Sequence, residues 1–189
     1  MDIGVIGLGN MGGRIARRLA SRGFTLSVFD ANPATAAKFA QTGAEVFSTP
    51  CELAQKTSVV ITVLPDASAV RQVVLGKDGL IESVKPGFVV IDMTTSLPGV
   101  TKEIGSKLRE KQADLLDAPV SGGVKKAEKG ELSIMVGGDE KLFQKMLPIL
   151  NELGSTIIRV GDLGTGHTIK ALNNLLTATT LGITAEVLA

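Results

Sequence analysis

The chain has 189 residues, with 20 Lys+Arg against 19 Asp+Glu and 44% hydrophobic residues, enough for one large domain with at most an appendage. Its interspersed charges sum to +1, and its six Phe stand without Trp or Tyr, so it has neither the field nor the stacking set of a nucleic-acid or acidic-membrane binder. Cys51 alone makes no intramolecular disulfide, MDIGVIGLG has no basic n-region, and the apolar runs Val59 to Leu64 and Phe88 to Ile91 fall far short of the roughly 20 residues of a bilayer span, which together lead us to expect a cytoplasmic protein without membrane segments.

Short β-branched runs alternate with segments of helical period, the rhythm of a parallel sheet built from βαβ units. Strands are predicted near Ile3 to Ile6, Thr25 to Phe29, Glu45 to Phe47, Val59 to Val63, Phe88 to Asp92 and Asp114 to Asp117, with a later pair near Leu132 to Val136 and Thr156 to Val160. Helices are predicted near Met11 to Ser21, Pro33 to Gln41, Leu97 to Gln112 and Glu140 to Leu153, with short ones around Glu52 and Val70. The middle strands are almost continuously apolar, as required when helices cover both faces. The connections are too short to hold a linker.

Thr168 to Ala189 reads differently. Ile169, Leu172, Leu175, Leu176, Ile183 and Val187 share helical spacing, while Leu181 and Leu188 fall on another side, so the helix is apolar nearly all round. It lacks the usual stop signals of Gly, Asn, Pro or a basic last turn, and the expectation is a chain that ends mid-helix. Such a helix exposes much apolar surface unless another chain or domain covers it, which predicts self-association through this segment. Lys170, Asn173, Asn174, Glu186 and several Thr weigh against membrane insertion.

The first predicted strand runs into Gly7-Leu8-Gly9-Asn10-Met11-Gly12 and then an amphipathic helix with Ile15, Ala16 and Leu19. Gly7 permits a sharp turn, Gly9 lets backbone approach a pyrophosphate, and Gly12 lets helix pack on strand. The phosphates then meet the N–H groups and dipole of the helix N-terminus. A lone G-x-G-x-x-G is weak, but here it opens the first βαβ unit, and Asp30 closes the second strand about twenty residues on, which completes a dinucleotide fingerprint. A carboxylate at 30 accepts from ribose hydroxyls and repels a 2′-phosphate, favouring NAD over NADP. Its competing role is to open the turn before Asn32-Pro33. Arg14, Arg17, Arg18 and Arg22 begin beyond the first helical turn and read as a solvated face.

Two later constellations are more specific: Asp117-Ala118-Pro119-Val120-Ser121-Gly122-Gly123, and Gly161-Asp162-Leu163-Gly164-Thr165-Gly166 leading into Lys170 and Asn174. With GLGNMG they resemble the three signatures of the β-hydroxyacid dehydrogenases, the family of 3-hydroxyisobutyrate dehydrogenase, tartronate semialdehyde reductase and 6-phosphogluconate dehydrogenase. The resemblance runs the length of the chain, through Leu64-Pro65, Asp92-Met93-Thr94-Thr95 and Met135-Val136-Gly137-Gly138-Asp139. It implies a Rossmann-type doubly wound α/β fold with a mostly parallel sheet, two extra C-terminal strands and a long terminal helix. Residues 1–163 would form the dinucleotide-binding domain and 164–189 the start of the interdomain helix, without the all-helical domain that closes the cleft in family members.

Read from the residues, Ser121-Gly122-Gly123 follows a strand's carboxyl end, where open α/β sheets bind ligands, and offers a hydroxyl and unobstructed N–H groups to a carboxylate. Lys170 and Asn174, four apart on a helix, project together, and the helix dipole with apolar packing would lower the lysine's pKa. The glycines at 161, 164 and 166 would let the chain pass close to cofactor or substrate. Lys170 is the expected proton handler, with Asn174 holding the same oxygen or the lysine. By resemblance, Leu64, Pro65 and Thr95 lie along the cofactor while Ser121, Gly122 and Gly123 hold the acid group of a small 3-hydroxy acid or its semialdehyde.

His167 is the sole histidine, but without a placed carboxylate it lacks the orienting partner of His-based catalysis. His167 and Cys51 have no ligand-spaced companions, so no metal is expected. Two other readings compete: a noncatalytic NAD-binding module, this chain lacking the closing domain, and an S-adenosylmethionine methyltransferase, which shares the glycine loop and acidic residue but leaves the later motifs without a purpose.

Overall fold

A computed structural model describes residues 2–189; Met1, first residue of the expected nucleotide-binding region, lies outside the described residues. Six strands run parallel: β1 (Asp2–Ile6), β2 (Thr25–Phe29), β3 (Glu45–Val46), β4 (Val59–Thr62), β5 (Val89–Asp92) and β6 (Asp114–Asp117). Their spatial order is β3-β2-β1-β4-β5-β6, the doubly wound order that reverses direction between β1 and β4. The sheet continues through β8 (Leu132–Gly137), antiparallel to β6 and to the short β7 (Val120–Ser121), and ends at β9 (Gly154–Gly161), parallel to β8.

Eight α-helices connect them among the described residues: α1 (Gly12–Ser21), α2 (Pro33–Ala40), α3 (Pro50–Lys56), α4 (Ala67–Leu75), α5 (Pro98–Glu110), α6 (Gly123–Lys129), α7 (Glu140–Leu150) and α8 (Thr165–Leu188). Polar side chains set several starts. Asn32, Thr49, Asp66 and Asp139 each accept a backbone N–H from the first turn of the helix they precede, satisfying donors that the helix cannot.

The apolar strands separate their side chains by parity. Ile3, Val5, Val59, Ile61 and Ile91 pack with Ile15, Leu19 and Phe39 on one face, whereas Ile6, Val60 and Val90 pack with Leu53, Val74, Ile104 and Leu108 on the other. Alternate side chains of a strand point to opposite faces, so a strand covered on both sides must be apolar throughout.

Two elements depart from the sequence expectation. Residues 118–131, where the sequence predicts no strand or helix, contain β7 and α6. A two-residue strand and a seven-residue helix are too short to show a period; Val120 and Ser121 become a strand only because Ile134 and Ser133 of β8 pair with them. The arginines of α1 are also more than a solvated face. Arg14 binds Glu128 of α6 at 2.8 Å, Arg18 donates to the Glu152 carbonyl at 2.9 Å, and Arg17 lies 4.8 Å over the Phe39 ring. Arg14 and Arg18 fasten α1 to the second half of the chain, and Arg17 fastens it to α2.

Candidate nucleotide and substrate site

The crevice between β1 and β4 opens where the chain leaves β1 in one direction and β4 in the other, which is where doubly wound sheets bind ligands. Gly7 ends β1 at φ +90°, and a Cβ there would collide with the Val63 carbonyl; a Cβ on Gly12 would collide with the Gly7 carbonyl. Neither position admits a side chain. A Cβ on Gly9, by contrast, would meet nothing within 4 Å. The backbone N–H groups of Asn10, Met11 and Gly12 donate to no protein acceptor among the described residues. A helix start with free donors and an unobstructed approach fits a pyrophosphate.

The cleft beside this turn has a volume of about 640 Å³, in the range of small-molecule sites. Gly7, Gly9, Asn10, Met11, Gly12, Asp30, Leu64 and Pro65 line it, together with apolar groups such as Phe29 and Val73 and without any Lys or Arg. Leu8 is placed differently: its side chain is buried in the core, and its N–H donates to Asp30 Oδ2 at 2.7 Å. Asp30 Oδ1 accepts from Asn32 N at 2.8 Å. Asp30 therefore both opens the following turn and braces the glycine loop, and a carboxylate's further lone pairs are left at the cleft wall.

The residues expected to meet substrate, and Thr95 expected along the cofactor, sit on other elements. Ser121 is half-buried on β7 opposite Ser133, and Gly122 and Gly123 are exposed at the start of α6. Lys170 is half-buried on α8, Asn174 is exposed one turn later, and Thr95 is exposed just past β5. None of these six lines the 640 Å³ cleft. The elements of the five residues expected at the substrate converge on β8, which pairs with β7 on one edge and with β9, leading into α8, on the other. Desolvation lowers the Lys170 pKa, as burial of an ammonium does.

The expected contribution of the helix dipole to that shift is corrected by Asp117. Its buried carboxylate accepts N–H bonds from Gly164 at 2.7 Å and His167 at 2.8 Å. The protein's own anion thus occupies the N-terminus of α8 and offsets the positive pole. Of the glycines of this stretch, Gly166 packs on the sheet, where a Cβ would lie 2.5 Å from the Met135 carbonyl and 2.8 Å from Asp117, while Gly161 faces Thr165 and Gly164 faces Pro98 and Lys102.

A buried polar cluster under the crevice escaped the sequence reading. Asp92 Oδ1 accepts from the Thr62 hydroxyl at 2.8 Å and from Thr94 N at 3.1 Å, and Thr94 Oγ1 accepts from Leu64 N at 3.0 Å. His167 bridges the Thr94 carbonyl and Thr101 Oγ1, with carboxylate oxygens of Asp92 and Asp117 each 3.8 Å from its ring nitrogens. Placed carboxylates do surround this histidine, contrary to the expectation, but at 1% exposure it touches no substrate. The one available signal was Asp92 and Asp117 ending two apolar strands, where a charge must find partners. Among the described residues no group of three metal-ligating side chains forms, and no helix is long and apolar enough to cross a membrane.

Residues 2–161 match the family model of the NAD binding domain of 6-phosphogluconate dehydrogenase. The chain is 39% identical over 184 residues to the mitochondrial 3-hydroxyisobutyrate dehydrogenase of Mus musculus, covering 97% of this chain and 55% of that protein. It is 39% identical over 188 residues to 2-(hydroxymethyl)glutarate dehydrogenase of Eubacterium barkeri, covering 100% of this chain and 62% of the relative. The structure of Mycobacterium tuberculosis 3-hydroxyisobutyrate dehydrogenase with L-serine superposes with a TM-score of 0.92 at 34% identity, covering 98% of this chain and 63% of that one. The chain thus spans little more than half to three fifths of the length of these relatives. With the doubly wound sheet, the glycine turn and the matched residues in agreement, the chain belongs to the family of the 6-phosphogluconate dehydrogenase NAD-binding domain, among the β-hydroxyacid dehydrogenases that its motifs resemble.

Proposed function

We propose that this chain is the nucleotide-binding part of an NAD-linked dehydrogenase that interconverts a small 3-hydroxy acid and its semialdehyde. The observation that carries the nucleotide half is the cleft at the glycine turn, with free N–H donors, one carboxylate and no cationic side chain in its wall. Gly7, Gly9, Asn10, Met11 and Gly12 would hold the pyrophosphate, Leu8 through its backbone alone. Asp30 would receive the ribose hydroxyls and disfavour a 2′-phosphate, and Leu64, Pro65 and Thr95 would lie along the rest of the cofactor.

A bound nicotinamide supplies the hydride acceptor or donor. The chain's own work is to orient the substrate and manage one proton. Ser121, Gly122 and Gly123 would grip the substrate carboxylate by hydroxyl and N–H groups. Lys170 as neutral amine would accept the hydroxyl proton during oxidation; as ammonium it would return a proton to the forming alkoxide during reduction. Its desolvated position raises the share of neutral amine at a given pH. Asn174 would hold the same oxygen. The exposed apolar residues of α8 support burial against a second copy or a further domain, and the lone Cys51 suits a reducing compartment such as the cytoplasm.

In the catalytically competent protein, Lys170→Ala is expected to lower kcat by about 10²–10⁴-fold and leave NADH affinity unchanged. Turnover of 3-hydroxyisobutyrate, glycerate, threonate and 4-hydroxybutyrate, beside NADH fluorescence titration, checks both halves; near-normal turnover removes Lys170 from its role. A noncatalytic NAD-binding module is the second reading, favoured by the exposure of Asn174. It predicts NADH binding with no turnover in any assembly. Binding of S-adenosylmethionine in place of NADH would overturn both.

A further inference from the structure

The His167 ring projects from the first turn of α8, the helix that carries Lys170, onto Thr94 and Thr101. Its Nε2 lies 2.9 Å from the Thr94 carbonyl, and because a carbonyl only accepts, Nε2 carries the proton. Its Nδ1 lies 2.8 Å from Thr101 Oγ1, whose hydroxyl also has the Leu97 carbonyl at 3.1 Å; with the proton on Nε2 alone, Nδ1 is the acceptor of that hydroxyl. Thr94 in turn takes the N–H of Leu64 on its own hydroxyl at 3.0 Å, and Leu64 lines the cleft. An unbroken chain of bonds thus runs from the cleft wall through Thr94 and His167 to α8.

We propose that His167 is a positioning residue: its ring locks the rotation of α8 against the Leu64–Thr94 wall, and so fixes the direction in which Lys170 projects toward a bound dinucleotide. The inference rests on the nucleotide cleft and the Lys170 role proposed above. Asp117 holds the N–H groups of Gly164 and His167 near the helix axis, which sets where the helix starts. The imidazole reaches off the axis to β5 and α5, which sets how the helix is turned. At 3.6 residues per turn, a residue three positions on projects about 60° away, so any roll of His167 carries Lys170 with it. The groups facing the ring are Asp92 from β5, Asp117 from β6, and the hydroxyl of Thr101 from α5.

The test compares His167→Gln with His167→Phe. A glutamine amide can donate to the Thr94 carbonyl and accept from Thr101, whereas phenylalanine fills similar space with neither bond. The readout is the pH titration of the Lys170 amine by NMR, assigned by its loss in Lys170→Ala. His167→Phe is expected to move it upward toward the ordinary lysine range, as the amine leaves its desolvated place, and His167→Gln is expected to restore it. A Phe variant with the wild-type Lys170 titration, or a Gln variant as altered as Phe, overturns the proposal. A second measurement needs no variant. His167 is the sole histidine, so its ring nitrogens are observed without overlap, and the expected state has a proton on Nε2 with both nitrogens shifting when NADH binds. A ring protonated only on Nδ1, or NADH binding without a shift, also overturns it. Failure of NADH to bind defeats the proposed function instead, while the Lys170 titration still decides the role of His167.

Discussion

Asp30 carries two duties, and its substitution separates them. Asp30→Asn retains an oxygen for the Leu8 N–H but removes the charge that opposes a 2′-phosphate. NADH affinity is expected to fall about tenfold, equivalent to about 1.4 kcal/mol, while NADPH affinity holds or rises; paired fluorescence titrations check this, and an unchanged NADH to NADPH ratio would leave Asp30 a loop brace. Asp92 is a second residue whose environment sets its behaviour. Burial raises its pKa against the lowering effects of His167, Thr94 and Thr62. A carboxyl whose folded pKa lies above its unfolded value contributes stability below the unfolded pKa, and loses it as pH climbs through the folded value. Asp92→Asn removes that dependence, so its stability relative to wild type should improve from about pH 4 upward. Urea unfolding across pH 4 to 8 measures it, and a constant difference would contradict the assignment. The nucleotide preference of Asp30 was legible in the sequence, whereas the Asp92 effect was not beyond the placement of an acid at a strand end, because desolvation depends on which segments close over the group.

At the scale of elements, α8 combines a tightly fitted start with an open remainder. Gly166 sits against the Met135 and Asp117 backbone, where a methyl has no room, while a Cβ on Gly182 would meet nothing within 4 Å. Gly166→Ala should cost about 1–3 kcal/mol through overpacking, whereas Gly182→Ala should add about 0.5–1 kcal/mol by restricting the unfolded chain. Opposite signs in thermal unfolding for one substitution on one helix would confirm this division, and equal effects would refute it. The long periodic segments were readable: β2 and β6 have the expected limits, and α1, α2, α5 and α7 start within one residue of theirs. β7 and α6 were not, since their shape comes from pairing with β8 and packing on α1 rather than from local preference.

At the scale of the whole molecule, the most exposed apolar surface lies on α8, where Leu175 and Leu176 are 64% and 69% exposed. Sedimentation at rising concentration is expected to show association, and Leu175→Glu with Leu176→Glu should abolish it without altering NADH affinity. A strictly monomeric wild type at high concentration would count against the association. The parallel α/β class with helices on both faces and the glycine turn were determined by sequence alone, because apolar runs, turn glycines and helical periods are local properties of the chain, while the doubly wound order came only by resemblance. The sequence also marked Lys170, Asn174 and Ser121 as chemically apt. Only the tertiary structure decided that Asp30 braces the loop, that Asp117 caps α8, and that His167 lies buried between Thr94 and Thr101. Those contacts join residues 22 to 73 positions apart, and no local pattern records which distant partner a buried polar group will find.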